Sequence, residues 1–122
     1  MTRAGTNAQT VEAFYESERR RDIDAWVRFW HPDGRQTFPF APDGSVIGIA
    51  ALEEVTREKF RVRAPYGIHT TIESFADEKR VLARLLLTFS DKPDTHIWCI
   101  FHFDDDGLVT EVEEMLDTAS AG

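Results

Sequence analysis

The nine residues VLARLLLTF at positions 81–89 are apolar at almost every position, with Arg84 as the only charge. The segment THIWCIFHF at positions 95–103 is similar. A strand of an antiparallel sheet with one face in water alternates apolar and polar residues, so these two segments indicate strands that are covered on both faces.

Outward from these segments, the period-two pattern extends over the second half of the chain. Strands are predicted at residues 68–76, 80–90, 95–104 and 108–117. The turns between them contain Asp, Ser, Pro and Gly at residues 77–79, 90–94 and 104–107. The sequence therefore predicts an antiparallel meander of four long strands.

The first half of the chain has a helical period. A helix is predicted from Ala8 to the basic run at 19–21, and a second from an Asp22 cap to the His-Pro-Asp-Gly at 31–34. A strand at 35–41, a turn at 42–44 and a helix at 49–63 follow. Helices followed by a meander predict an α+β fold with three helices packed on one curved sheet. We expect one domain over 1–122, with a flexible arm at 1–7 and a flexible tail at 118–122.

Composition excludes several classes of function. The chain has 122 residues and a formal net charge of −8, so it lacks the basic surface that binds nucleic acid or anionic membranes. It shows no signal peptide and no run long enough to span a membrane. Cys99 is the only cysteine, which favours the reducing cytoplasm. No metal-binding His/Cys motif and no phosphate-binding glycine loop occurs, so neither a metal nor a cofactor is expected.

The apolar strands also predict the oligomeric state. Three helices can cover one face of the sheet, and in a short chain a second copy most simply covers the other. The sequence therefore predicts a homodimer through a sheet face that carries Ala83, Leu85, Leu87 and Trp98, with His96 as a further candidate.

Three motifs in this order resemble the nuclear transport factor 2-like superfamily, which includes ketosteroid isomerase, and within it the SnoaL-like polyketide cyclases and the phenazine-biosynthesis A/B proteins. They are FPFAPDG at 38–44, GIAAL at 48–52 and DGLVTEVEEM at 106–115. The resemblance spans about residues 11–117. It implies that the helices and the sheet form a cone around a pocket.

The same resemblance argues against ketosteroid isomerase activity. The position of that enzyme's base falls on Phe38, and the oxyanion Asp falls on or next to Cys99. The oxyanion Tyr falls on Phe14, with Tyr15 one residue away, so base and acid are both missing. Limonene epoxide hydrolase, another relative, uses an Asp-Arg-Asp set, which Arg84 and Glu114 match only in part.

Glu114 is the main candidate for catalysis. It shares a strand face with Val112, and the resemblance places a functional Glu of the phenazine-biosynthesis proteins at this position. In an apolar cone its pKa would be raised, which suits a general acid or base. Arg84 would orient Glu114 or bind a substrate carboxylate or carbonyl, and Tyr15 would assist. The alternatives are a structural Glu114–arginine pair and an Arg84 that reaches the rim of a dimer.

Numerous aromatic side chains on the presumed inner faces indicate a flat, ring-bearing or polyene-derived ligand. Phe38 and Phe40 have the same parity on the predicted strand and would face the pocket together. The alternative is ordinary core packing. The candidate ligand-binding residues are Phe14, Trp30, Phe38, Phe40, Phe60, Cys99, Phe101 and Val112, and Trp26 belongs to the same aromatic set.

The sequence thus predicts a cofactor-free small-molecule isomerase, cyclase or dehydratase of secondary metabolism that acts by acid–base chemistry on a hydrophobic or aromatic compound. The alternative is a non-catalytic module of the same fold that binds a metabolite or only dimerises. An empty cavity beside a buried Glu114 would favour the enzyme, and a surface ion pair at Glu114 would favour the module.

Overall fold

The computed structural model of the chain describes residues 6–116. Its helices are α1 (Asn7–Arg19), α2 (Ile23–Arg28) and α3 (Ile49–Val62), and its strands are β1 (Trp30–Thr37), β2 (Val46–Ile47), β3 (Gly67–Ser74), β4 (Arg80–Thr88), β5 (Thr95–Phe103) and β6 (Val109–Leu116). The strands form one sheet in the order β2-β1-β6-β5-β4-β3, in which only the β1–β6 pair is parallel. The predicted α+β fold, with three helices on a mixed sheet, is confirmed.

The N-terminal helix begins earlier than the sequence pattern predicts. The side chain of Thr6 accepts a hydrogen bond from the backbone N–H of Gln9, and the side chain of Gln9 accepts one from the backbone of Thr6. This reciprocal cap supplies partners for donors that a helix start otherwise leaves open. Residues 6 and 7 of the predicted arm therefore belong to the start of α1. The rest of that arm, at 1–5, and the predicted tail at 118–122 lie outside the described residues.

The first strand differs most from its prediction. The second helix ends at Arg28, and β1 already begins at Trp30, so the His-Pro-Asp-Gly segment lies inside an irregular strand. Its register shifts between Trp30 and Arg35. A Cβ atom on Gly34 would lie 2.6 Å from the ring of Trp30, so only glycine lets the strand pass this close to the indole.

The two faces of β4 and β5 have different surroundings. Val81, Ala83, Leu85 and Leu87 are buried in one core cluster with residues of the three helices. The alternate residues of β4, from Leu82 to Thr88, face the other side and are only half-buried. Three residues that were predicted to form the dimer face, Ala83, Leu85 and Leu87, therefore lie under the helices. The prediction of which face of β4 these residues occupy was wrong. Trp98, the fourth, is on the opposite face and is 49% exposed.

Candidate functional site

A cavity of about 210 Å³ lies between the helices and the inner face of the sheet. Its apolar wall consists of Phe14, Trp26, Trp30, Phe38, Val55, Leu85, Leu87, Ile97 and Val112. Its polar lining consists of Tyr15, Glu18, Gln36, Thr56, Lys59, Arg63, Tyr66, Cys99 and Glu114. An aromatic wall with a few polar groups is typical of a site for a small organic ligand.

Glu114 lies at the centre of the polar lining. It stands opposite Cys99 in the β5–β6 register, on the inner face of β6. The side-chain amide of Gln36 donates a hydrogen bond to Oε1 of Glu114 over 3.0 Å, and the thiol of Cys99 lies 4.0 Å from the same oxygen. Within residues 6–116 no hydrogen bond reaches Oε2. One carboxyl oxygen is therefore held by the protein, and the other is available to a ligand.

The surroundings of Glu114 favour its neutral form. Burial is the largest effect and raises the pKa of this carboxyl above its ordinary value of 4.5. The carboxylate of Glu18 adds to the increase, whereas the charges of Lys59 and Arg63 and the hydrogen bond from Gln36 oppose it. A carboxyl with a raised pKa can release and take up a proton closer to neutral pH, as a general acid or base must.

Tyr15 and Cys99 extend the polar lining behind Glu114. Burial is the largest effect on both groups and raises the pKa of each well above its ordinary value. Both side chains are therefore neutral, and Cys99 is not an activated thiolate. The thiol of Cys99 helps to position the carboxyl of Glu114 through its contact with Oε1, and Tyr15 lines the same cavity.

A second polar group borders the cavity. The Nζ atom of Lys59 lies 3.6 Å from Oε2 of Glu18, and the hydroxyl of Tyr66 donates to the same oxygen over 3.3 Å. Burial is the largest single effect on Lys59 and lowers its pKa, but Glu18, Tyr66 and Glu114 together outweigh it, so the pKa of the amine is raised. This group was missed from the sequence. The buried positions Leu52 and Thr56 put Lys59 on the inward face of α3 at helical spacing, a signal that could have identified it.

The cavity brings together seven of the residues predicted for the site: Glu114, Tyr15, Phe14, Trp30, Phe38, Cys99 and Val112. The other four candidates, Arg84, Phe40, Phe60 and Phe101, do not line it.

Arg84 lies on the outer face of the sheet. Its guanidinium donates to Glu73 over 2.6 Å and lies 5.8 Å from the ring centroid of Trp98. The predicted contact with Glu114 is therefore wrong, because the two side chains lie on opposite faces of the sheet. No arginine or lysine forms a salt bridge with Glu114 in the described part of the chain, so the alternative of a structural ion pair is not supported either.

The three aromatic candidates that do not line the cavity are placed elsewhere for different reasons. Phe40 is 81% exposed, because β1 ends at Thr37 and its parity does not extend into the following turn. Phe60 is half-buried on α3 with the guanidinium of Arg21 5.0 Å from its ring centroid. Phe101 is fully buried against the rings of Phe14 and Tyr15, at 5.1 and 5.7 Å, so it supports the cavity wall from behind.

No group of three or more His, Cys, Asp or Glu side chains is arranged to hold a metal ion among residues 6–116. Among the helices described, none has the length and apolar character needed to cross a membrane.

Solved structures share this fold at low identity. A proposed polyketide cyclase from Pseudomonas putida KT2440 is 14% identical with a TM-score of 0.79, and the match covers 97% of this chain and 96% of that one. A second proposed polyketide cyclase, from Xanthomonas campestris pv. campestris, is 20% identical over 96% and 100% of the two chains with a TM-score of 0.76. A steroid delta-isomerase from Pseudomonas aeruginosa is 22% identical over 90% and 78%, with a TM-score of 0.71.

These likenesses confirm the predicted cone-like fold of the nuclear transport factor 2-like proteins, and at this identity they show the fold alone. No curated protein sequence matches the chain. A family model described as the SnoaL-like domain matches residues 11–112, which is most of the chain. The chain therefore belongs to the SnoaL-like domain family.

Proposed function

We propose that this protein is a cofactor-free small-molecule isomerase, cyclase or dehydratase of secondary metabolism, with Glu114 as its general acid and base. One observation carries the proposal: a half-buried carboxyl borders a cavity, with one oxygen bound by Gln36 and the other without a hydrogen bond from any described residue. An unpartnered carboxyl oxygen next to a ligand can move a proton to or from it.

In this proposal the other residues that line the cavity have distinct roles. Gln36 and Cys99 hold Oε1 as the acceptor, so Oε2 carries the proton and transfers it. The pair of Glu18 and Lys59 supplies a charged group next to the ligand's polar end. The aromatic wall excludes water and holds a ring-bearing compound, and the cavity volume suits one or two fused rings.

The competing function is a binding module without catalysis. The same cavity would sequester a metabolite, and Glu114 would serve only as a hydrogen-bond donor. Oε2 without a partner among the described residues favours catalysis. A carboxyl that only binds a ligand would be held more firmly by a second hydrogen bond from the protein, whereas a proton-transfer group needs one oxygen left for the ligand. The free thiol of buried Cys99 supports the reducing cytoplasm as the proposed location.

We further propose that two copies associate through the outer face of the sheet. Its centre is apolar, with Leu82, Leu86, Ile100 and Met115 half-buried and Trp98 half-exposed. The Arg84–Glu73 ion pair and a hydrogen bond between the side chains of His102 and Glu113 flank this centre. A face that carries both signs around an apolar centre is complementary to itself across a two-fold axis.

The pH dependence of stability tests the state of Glu114 without a substrate. The folded-state pKa is raised, so the neutral carboxyl contributes its full stability below about pH 4.5, and this is lost as pH rises through the folded-state pKa. Glu114→Gln removes that loss. We expect the variant to melt above the wild type at pH 8, and the difference to vanish near pH 4.

Glu111→Gln is the matched control on the same strand. Burial raises the pKa of Glu111, but hydrogen bonds from Thr37 and Arg35 outweigh it and hold the pKa below its ordinary value. Its ionised form is therefore stabilising above pH 4.5, so this variant should melt below the wild type at pH 8. A melting temperature of Glu114→Gln clearly below the wild type at pH 8 would remove Glu114 from the catalytic role.

A further inference from the structure

Two tryptophans in the cavity wall carry hydrogen-bond donors with no acceptor. Trp26 and Trp30 are 3% and 4% exposed, and both line the cavity. Within the described residues, the indole Nε1 of neither ring has a hydrogen-bond partner. Trp98, the third tryptophan of the chain, lies on the outer face.

Such donors are rarely left unpaired in native proteins. Burial of an N–H group without an acceptor costs free energy, and nearly all buried polar groups in folded proteins are paired. A single orphan could be an accident of packing. Two orphans, from rings 5.5 Å apart in the wall of one cavity, indicate that the acceptor comes from outside the described residues.

The surroundings show why the protein does not supply this acceptor. The ring of Phe14 lies 5.5 Å from Trp26 and 6.0 Å from Trp30, so aromatic carbon packs around both indoles. Two polar groups of the cavity, Gln36 and Cys99, are already engaged with Glu114. A ligand that fills the cavity can bring an oxygen to this wall.

We propose that the indole N–H groups of Trp26 and Trp30 bind a carbonyl oxygen of the ligand, which identifies the ligand class as ring-bearing carbonyl compounds. A carbonyl oxygen has two lone pairs and can accept from both donors. The inference rests on the proposed function, because it assumes that the cavity binds a ring-bearing compound. Both nitrogens are shielded from solvent by the protein, so binding includes a turn of the indole rings.

Two probes of equal shape separate a hydrogen bond from simple packing. The ketone 2-acetylnaphthalene presents a carbonyl oxygen, and 2-isopropenylnaphthalene replaces that oxygen with a CH₂ group. One hydrogen bond at this site should make the dissociation constant of the ketone about 3- to 10-fold lower than that of the alkene. Glu114→Gln should keep this preference, because the oxygen binds at the indoles.

Indole ¹⁵N–¹H resonances report the donors directly in the intact protein. Trp98→Phe removes the outer-face signal and leaves those of Trp26 and Trp30. We expect the ketone to move both remaining N–H signals downfield and the alkene to leave them without that shift. Trp98 in the wild-type protein should not respond to either compound.

Two results would overturn the inference. If the two compounds bind equally and the ketone leaves the indole signals in place, the carbonyl subsite is wrong while the cavity remains a binding site. If neither compound binds, both the carbonyl subsite and the proposal that the cavity binds ring-bearing compounds are wrong.

Discussion

Glu114→Gln is expected to lower the catalysed exchange of the carbon-bound protons of 2-tetralone with D₂O by roughly 10²- to 10⁴-fold. This compound has two fused rings and acidic C–H bonds beside a carbonyl group, so it reports acid–base catalysis without knowledge of the natural substrate. The range is the usual contribution of general acid–base catalysis. Gln keeps the shape and the acceptor oxygen for Gln36 but cannot transfer a proton.

The exchange assay is read by ¹H NMR as loss of the signals beside the carbonyl. Glu54→Gln is the matched control, because Glu54 is an exposed carboxylate on α3 that does not line the cavity. The Glu54→Gln variant should catalyse the exchange of the 2-tetralone protons at the wild-type rate. If Glu114→Gln also exchanges at the wild-type rate while still binding 2-tetralone, the binding module becomes the correct function.

Trp98→Glu is expected to convert the protein from a dimer to a monomer at micromolar concentration. The change removes an exposed aromatic ring from the centre of the proposed interface and introduces two carboxylates, one from each copy, beside the acidic Glu113. A buried unpaired charge costs about 3–5 kcal/mol, which weakens association by roughly 10²- to 10⁴-fold.

Light scattering measures this change as a mass. The wild type should give twice the chain mass of 14.0 kDa, and the variant should give one chain mass. Val62→Glu is the control, because Val62 is 61% exposed at the end of α3 and outside the proposed interface. A wild-type protein of one chain mass would end the dimer proposal, and a dimeric Trp98→Glu would move the interface elsewhere.

The local periodicity of apolar residues was sufficient to predict most of the fold from the sequence. The two strands within residues 80–103 are nearly continuous apolar segments separated by a turn, so their existence and their antiparallel pairing follow from nearby residues. Glu114 was also predictable, since its parity with Val112 settles its face on β6. The face of Ala83, Leu85 and Leu87 was predicted wrongly, because a strand that is apolar on both faces does not show which face lies under the helices.

The errors occurred where tertiary contacts override the local pattern. The strand β1 starts at Trp30 because Gly34 lets its backbone pass the indole, and a sequence pattern does not show that approach. Phe40 was misplaced for the same reason, because its strand ends three residues earlier. The partner of Arg84 depends on a neighbouring strand, and the group of Glu18 and Lys59 joins two helices that are far apart in the chain.

The central claim is that the carboxyl of Glu114 has a raised pKa in the cavity and can therefore transfer a proton to or from a ligand. The most direct test is the pKa of Glu114 in the folded protein. It can be measured by titration of the side-chain carboxyl ¹³C signals, with Glu114→Gln to identify the resonance. The account predicts a midpoint above the ordinary value of 4.5, because burial is the largest effect on this group. A midpoint at or below 4.5 would contradict it, since the carboxyl would then be an ordinary ionised group at neutral pH.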